Sequence, residues 1–186
     1  MPFTKTQFPG LLIFVPKIFE DSRGYFFESY NQKVFSEESI EINFVQDNQA
    51  LSSFGIVRGL HFQKDPFAQT KLIRVLSGKI IDAVVDLRKN SPTYGNAYTI
   101  ELSAENKKQL LIPKGFAHGY SVISETAEVF YKCDVFYHKE SEGGILWNDP
   151  QLNIDWKVPA DRVIVSEKDA RNPTFKTGES NFFFNG

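Results

Sequence analysis

Residues 70–88 read TKLIRVLSGKIIDAVVDLR, and this stretch decides the class of fold. Two apolar runs of strand length stand on either side of Ser77-Gly78, a turn signal. In the second run Ile81, Ala83, Val85 and Leu87 share one face by period-two alternation, while Asp82 and Asp86 face the other way. Moving outward, further turn signals stand at Arg23-Gly24, Phe54-Gly55, Asn90-Ser91-Pro92, Tyr94-Gly95, Pro113-Lys114-Gly115 and Gly143-Gly144. Between them lie short runs rich in Val, Ile, Phe and Tyr, among them AYTIELS (97–103), KQLLIP (108–113), GYSVIS (119–124) and AEVFYKCDVFY (127–137). Short strands at such spacing predict a mainly β chain built as an antiparallel sandwich or barrel. Helix is expected only in short pieces: NQKVFSEES (31–39), which is amphipathic, and a turn in VSEKDA (165–170) with Ser166 as its cap.

The totals bound the function. A chain of 186 residues suits a single domain, 1–186, and buries a core without disulfides. Aromatics make up 15%, with 18 Phe, which suits strands and ring-lined pockets. A net charge of -2 provides no basic field for nucleic acid. The lone Cys133 rules out an internal disulfide and a cysteine zinc cluster, and fits a reducing compartment. The apolar LLIFV (11–15) is flanked by Pro9 and Pro16, too short for a signal-peptide core or a membrane span. The expected location is cytoplasmic, with no membrane partner.

The chemistry centres on VRGLHFQ (57–63) and PKGFAH (113–118), which hold two of the three histidines, His61 and His118. These segments resemble the two motifs of the cupin superfamily. Where metal-binding cupins carry a second His and a Glu, this chain has Gln63 and Lys71. An amide is a poor ligand beside imidazole, and an ammonium repels a divalent ion, so no metal is expected. A base beside a cation suits another task, removal of a proton next to a carbonyl with the oxyanion held by the cation. His61 and Lys71 have that chemistry, although a lone His or Lys in a strand is usually structural. Tyr131, Cys133, Val135 and Tyr137 share a face if their strand is regular, and a phenol there could donate a proton or stack on a planar ligand. Arg58 and His61 fall on opposite faces of a regular strand. For both to reach one pocket the strand must bulge, and Gly59 is the natural place. Arg23, Arg58, Lys71 and Lys168 would cradle a diphosphate if the fold brought them together.

The resemblance then becomes specific. DSRGYFFE (21–28), FVQDN (44–48), VRGLHFQ (57–63), AQTKLIRVLSG (68–78), VDLRKNSPTYG (85–95), LLIPKGFAHGY (110–120), EVFYKC (128–133), GILWNDP (144–150) and SEKD (166–169) occur in order over nearly the whole chain. Together they resemble the dTDP-4-dehydrorhamnose 3,5-epimerases, metal-free cupin-like enzymes of sugar-nucleotide metabolism. The resemblance implies a jelly-roll β-sandwich, a homodimer exchanging N-terminal strands, and no cofactor. It implies epimerisation of dTDP-4-dehydro-6-deoxy-D-glucose at C3 and C5. Carried over, it makes His61 the base, Asp169 the carboxylate that orients it, Tyr131 the proton donor and Lys71 the enolate stabiliser. It assigns substrate binding to Arg23, Glu28, Gln46, Asp47, Asn48, Arg58, Lys71, His118, Glu142 and Lys168, and thymine stacking to Tyr137. Gln49 and Tyr120 depart from the residues that members often carry, His or Ser and Phe. Relatives that invert only one carbon share the same motifs, and a non-catalytic sugar-nucleotide-binding cupin is the alternative outside enzymes.

Overall fold

The computed structural model describes residues 2–185. In chain order the elements are β1 (Phe3–Lys5), β2 (Leu12–Phe14), β3 (Phe19–Asp21), β4 (Gly24–Phe26), α1 (Gln32–Glu37), β5 (Gln46–Ser53), β6 (Ile56–Gln63), β7 (Lys71–Ser77), β8 (Lys79–Asp86), β9 (Ala97–Ser103), β10 (Gln109–Ile112), β11 (Phe116–Val122), β12 (Thr126–Cys133), β13 (Glu142–Gly144), β14 (Ile164–Val165) and α2 (Glu167–Ala170). One sheet runs β1-β2-β10-β7-β12-β5 and the other β13-β6-β11-β8-β9, with β14 added parallel to β6. The strands β3 and β4 form a separate ribbon.

The expected antiparallel β-sandwich of jelly-roll kind is what the chain forms. Strands on either side of a turn commonly join different sheets instead of closing hairpins. The two runs of residues 70–88 illustrate this: β7 pairs with β10 and β12, and β8 pairs with β9 and β11. Gly78 makes the crossing. Its φ is +74°, and a Cβ there would fall 2.0 Å from the Thr126 carbonyl oxygen. The same exchange of sheets occurs between β5 and β6, β9 and β10, and β11 and β12.

Alternation divides the apolar residues among three layers. Between the sheets, Ile73, Val75, Ile80, Val84, Leu110, Val122 and Val129 make the central core. Ala83 and Val85 point out of β8 the other way, with Leu87 just past its end, and Leu152, Trp156 and Phe182 of the C-terminal segment cover them. Both faces of this strand are therefore buried, and Asp82 faces the interior, not solvent. On the outer face of the first sheet Leu72, Leu111 and Phe14 pack on Phe35 of α1. The Asn31 side chain starts that helix by accepting the Lys33 N–H.

Candidate active site

The site lies between the two sheets and begins with an irregularity in β6. His118 of β11 lies opposite His61, but Tyr120 lies opposite Arg58, so β6 carries one extra residue between the two pairs. Gly59 absorbs it with a φ of +124°. The effect is a change of phase, with Val57, Leu60 and Phe62 packing outward into the second core while Arg58 and His61 both line the interior cavity. The bulge expected at Gly59 is present.

His61 is held by Asp169. Nε2 lies 2.6 Å from Asp169 Oδ1, and Oδ2 accepts the Gly59 N–H at 3.1 Å. Asp169 is only 3% exposed. Burial alone would raise its pKa, but the bonds from His61, Gly59 and Ser166 outweigh it and hold the group below the usual carboxylate range. An ionised carboxylate only accepts, so the ring proton in this bond sits on Nε2, and in the neutral imidazole Nδ1 carries the lone pair. Ser166 brings the carboxylate to this place by capping α2, accepting the Asp169 N–H at 3.1 Å.

The first sheet supplies the facing wall. In the ladder between β7 and β12, Tyr131 lies opposite Ile73 and Cys133 opposite Lys71. Tyr131 and Lys71 thus project inward together, with Lys71 Nζ 5.8 Å from the Tyr131 ring centre. Burial, reinforced by Cys133 and Tyr120, pushes the Tyr131 hydroxyl up to about 12. Burial lowers the Lys71 ammonium below the ordinary lysine value, against the opposing influence of Cys133, Asp82 and Glu142. His118 faces the same space, its Nε2 bonded to Asp82 Oδ2 at 2.8 Å. Asp82 is fully buried, and that burial raises its pKa.

The cavity encloses about 460 Å³ beside Arg58, His61, Lys71, His118, Tyr131, Lys168 and Asp169. An adjoining recess of about 160 Å³ shares His61, Lys71 and Tyr131 and adds Gln46, Asn48, Tyr137 and Glu142. At this recess Lys168 Nζ lies 2.6 Å from Glu142 Oε1, and the Tyr137 hydroxyl donates to Glu142 Oε2 at 3.1 Å. The Tyr137 N–H donates to Gln46 Oε1 at 3.1 Å. Tyr137 arrives by a bend, since β12 ends at Cys133.

The other expected binding residues stand outside both spaces. Asp47 lies on the exposed side of β5, paired with Lys132 at 2.9 Å. Arg23 is held by Asp21 in the turn of the β3–β4 ribbon, and Glu28 accepts from Asn31 at the surface.

The dTDP-4-dehydrorhamnose 3,5-epimerase family model matches residues 5–177. The chain belongs to this family. It is 50% identical over 177 residues to a dTDP-4-dehydrorhamnose 3,5-epimerase of Shigella flexneri, covering 94% of this chain and 96% of that one. The structure of an Elizabethkingia anophelis dTDP-4-dehydrorhamnose 3,5-epimerase superposes with a TM-score of 0.90 at 53% identity, covering 94% of this chain and 96% of the other. A dTDP-6-deoxy-D-glucose-3,5-epimerase of Legionella pneumophila, solved in complex with dTDP-4-keto-L-rhamnose, gives 0.89 at 45% identity and covers 94% of this chain and 93% of its own.

Three members of this epimerase-family site escaped the sequence reading of chemistry. Asp82 anchors His118; its signal was a carboxylate between Ile80 and Val84 on one strand face. Ser52 Oγ accepts from Arg58 Nε at 3.0 Å, and no sequence pattern marks it. The Gly59 N–H donates to Asp169, a bond that exists only once the bulge has formed. Among the described residues there is no group of three or more His, Cys, Asp or Glu placed to hold a metal ion, and no helix is long and apolar enough to cross a membrane.

Proposed function

We propose that the chain is a dTDP-4-dehydrorhamnose 3,5-epimerase. It converts dTDP-4-dehydro-6-deoxy-D-glucose to dTDP-4-dehydro-L-rhamnose by inverting C3 and C5, in dTDP-L-rhamnose biosynthesis in the cytoplasm. The observation that carries the reading is the placement of an oriented base and a neutral phenol on opposite sheets of one cavity: His61 with Asp169 on one wall, Tyr131 on the other.

Both carbons flank the C4 ketone, so loss of a proton from either gives an enolate on the same oxygen. His61 Nδ1 takes the proton, the C–H electron pair becomes the C=C bond, and the carbonyl pair moves onto oxygen. The Lys71 ammonium steadies that oxygen. Tyr131 then gives its proton to the opposite face of the carbon and the carbonyl re-forms. Removal on one face and return on the other is inversion. Asp169 supports the imidazolium while it lasts. His61 sheds its proton and Tyr131 regains one before the second carbon reacts. No cofactor enters this sequence, and neither does a metal.

Around the reacting ring, Arg58, His118, Lys168, Glu142, Gln46 and Asn48 bind substrate, and Tyr137 stacks on thymine. Tyr137 is exposed at the recess, where an aromatic base can reach it. Arg23 and Glu28 reach a site through dimerisation, by exchange of the N-terminal strands between two copies. The exposure of Phe19, Tyr25 and Phe26 on the β3–β4 ribbon supports this arrangement. Asp47 acts at the rim beside Gln46 and Asn48.

Incubation with dTDP-4-dehydro-6-deoxyglucose in D2O tests the reading, with NMR counting deuterium at each carbon. Label at C3 and C5 is expected. Label at one carbon alone makes the chain a single-site epimerase. Intact binding without any label makes it a binding protein.

A further inference from the structure

Tyr120 carries a hydroxyl that the protein leaves without a partner. The residue is 5% exposed, and its Oη is buried with no hydrogen bond among the described residues. Buried phenols normally find one, because the lost hydration is otherwise uncompensated. Ser52 Oγ, which accepts from Arg58 Nε at 3.0 Å, is near enough to act on the phenol but closes no hydrogen bond with it. Tyr120 lines the same cavity as His61, Lys71, His118 and Tyr131. It follows His118 on the inward face of β11, with 6.5 Å between the two ring centres, and it lies opposite Arg58 in the ladder.

We infer that Tyr120 is a further substrate-contacting residue, whose hydroxyl is completed by an oxygen of the bound sugar ring. The inference rests on the epimerase reading of the site. A sugar oxygen suits this position better than a phosphate does. A diphosphate carries charge that must be met by cations or kept near water. Tyr120 itself presents a neutral group and leaves phosphate to the cations Arg58 and Lys168; buried between the sheets, it suits the least charged part of the ligand, which is cheapest to desolvate. Burial also raises its pKa, which keeps the hydroxyl protonated and able to donate. A sugar lacking the matching oxygen would leave the phenol orphaned in the complex as well, so the contact selects among sugars.

Tyr120→Phe removes the hydroxyl and keeps the ring. Wild-type turnover is measured first, since its absence overturns the epimerase reading itself. With turnover established, the variant should lose roughly tenfold in kcat/KM for dTDP-4-dehydro-6-deoxyglucose, the equivalent of one neutral hydrogen bond. Its affinity for dTDP alone should stay within about twofold of wild type, as a contact to sugar only requires, and its Tm should not fall. Unchanged kcat/KM overturns the inference, as does a loss of dTDP affinity by the same factor, which would place the contact on the nucleotide. In the wild-type protein, the Tyr120 13Cζ resonance should shift on adding the sugar nucleotide and not on adding dTDP. This second measurement decides the matter if the variant folds poorly, and a resonance that ignores the sugar overturns the inference.

Discussion

Asp169 Oδ1 meets His61 Nε2 at 2.6 Å across 108 positions of sequence. The same carboxylate accepts the N–H of Gly59, the residue whose bulge turns His61 inward. One buried group therefore fixes the orientation of the base, its tautomer and the strand irregularity that presents it. Each of these can be broken separately.

Replacing the base separates chemistry from binding. His61→Asn should lower deuterium incorporation at both C3 and C5 by at least about a hundredfold, the usual worth of a positioned base. Calorimetric titration should show dTDP affinity preserved. Near-normal exchange in this variant would sink the assignment.

Replacing the acid should separate proton removal from inversion. In Tyr131→Phe the base still forms the enolate but only His61 can return a proton, on the face it came from. NMR in D2O should then show solvent exchange with retained configuration and little epimer. Inverted product at the wild-type rate would place the proton donor elsewhere.

The alkaline limit of activity should belong to Lys71. Burial sets its pKa below the ordinary lysine value, so the ammonium is lost as pH rises through that lowered value. Tyr131, at about 12, stays protonated through this range. The kcat/KM profile should therefore fall at a pH below the ordinary lysine range. Asp82 charge supports the ammonium, so Asp82→Asn should move the limb lower still, while Lys71→Arg should remove it because guanidinium does not titrate there. A limb unmoved in both variants would assign it to another group.

The bulge is tested by Gly59→Ala. A Cβ at this position would lie 2.6 Å from Gly119 Cα and 2.8 Å from the His118 carbonyl oxygen, on a backbone with φ of +124°. Both obstacles are main chain in the neighbouring strand and cannot move aside. Denaturant unfolding should show a loss of about 3 kcal/mol or more, with activity falling because Arg58 and His61 lose their common face. A variant as stable and as active as wild type would show that the ladder tolerates another geometry.

Much of this was legible before folding. Period-two alternation and turn residues marked β7 and β8 on either side of Gly78 because both signals are local. Ser166 announced its helix for the same reason. The irregularity at Gly59 could be inferred because Arg58 and His61 both had chemistry to perform and a regular strand would have parted them. Alternation put Tyr137 on the face of Tyr131 in a regular strand, but β12 ends at Cys133 and Tyr137 arrives past it by a bend. Nor did any motif separate Asp47, Arg23 and Glu28, at the surface of one chain, from Gln46 and Asn48 at the recess.

By itself the sequence determined most of the central strands, the sandwich class, the departure from a metal-ligand set at Gln63 and Lys71, and the residue types needed for proton transfer. Tertiary structure alone decided which strands became neighbours, because pairing depends on burying faces against segments distant in sequence. It paired β7 with β12 in one sheet and β6 with β11 in the other, so that Lys71 and Tyr131 stand on one wall and His61 on the other. It brought Asp169 from α2 to His61, and it buried Asp82 and Tyr120, whose roles follow from polar groups removed from water, a property no stretch of sequence possesses until the chain has closed around it.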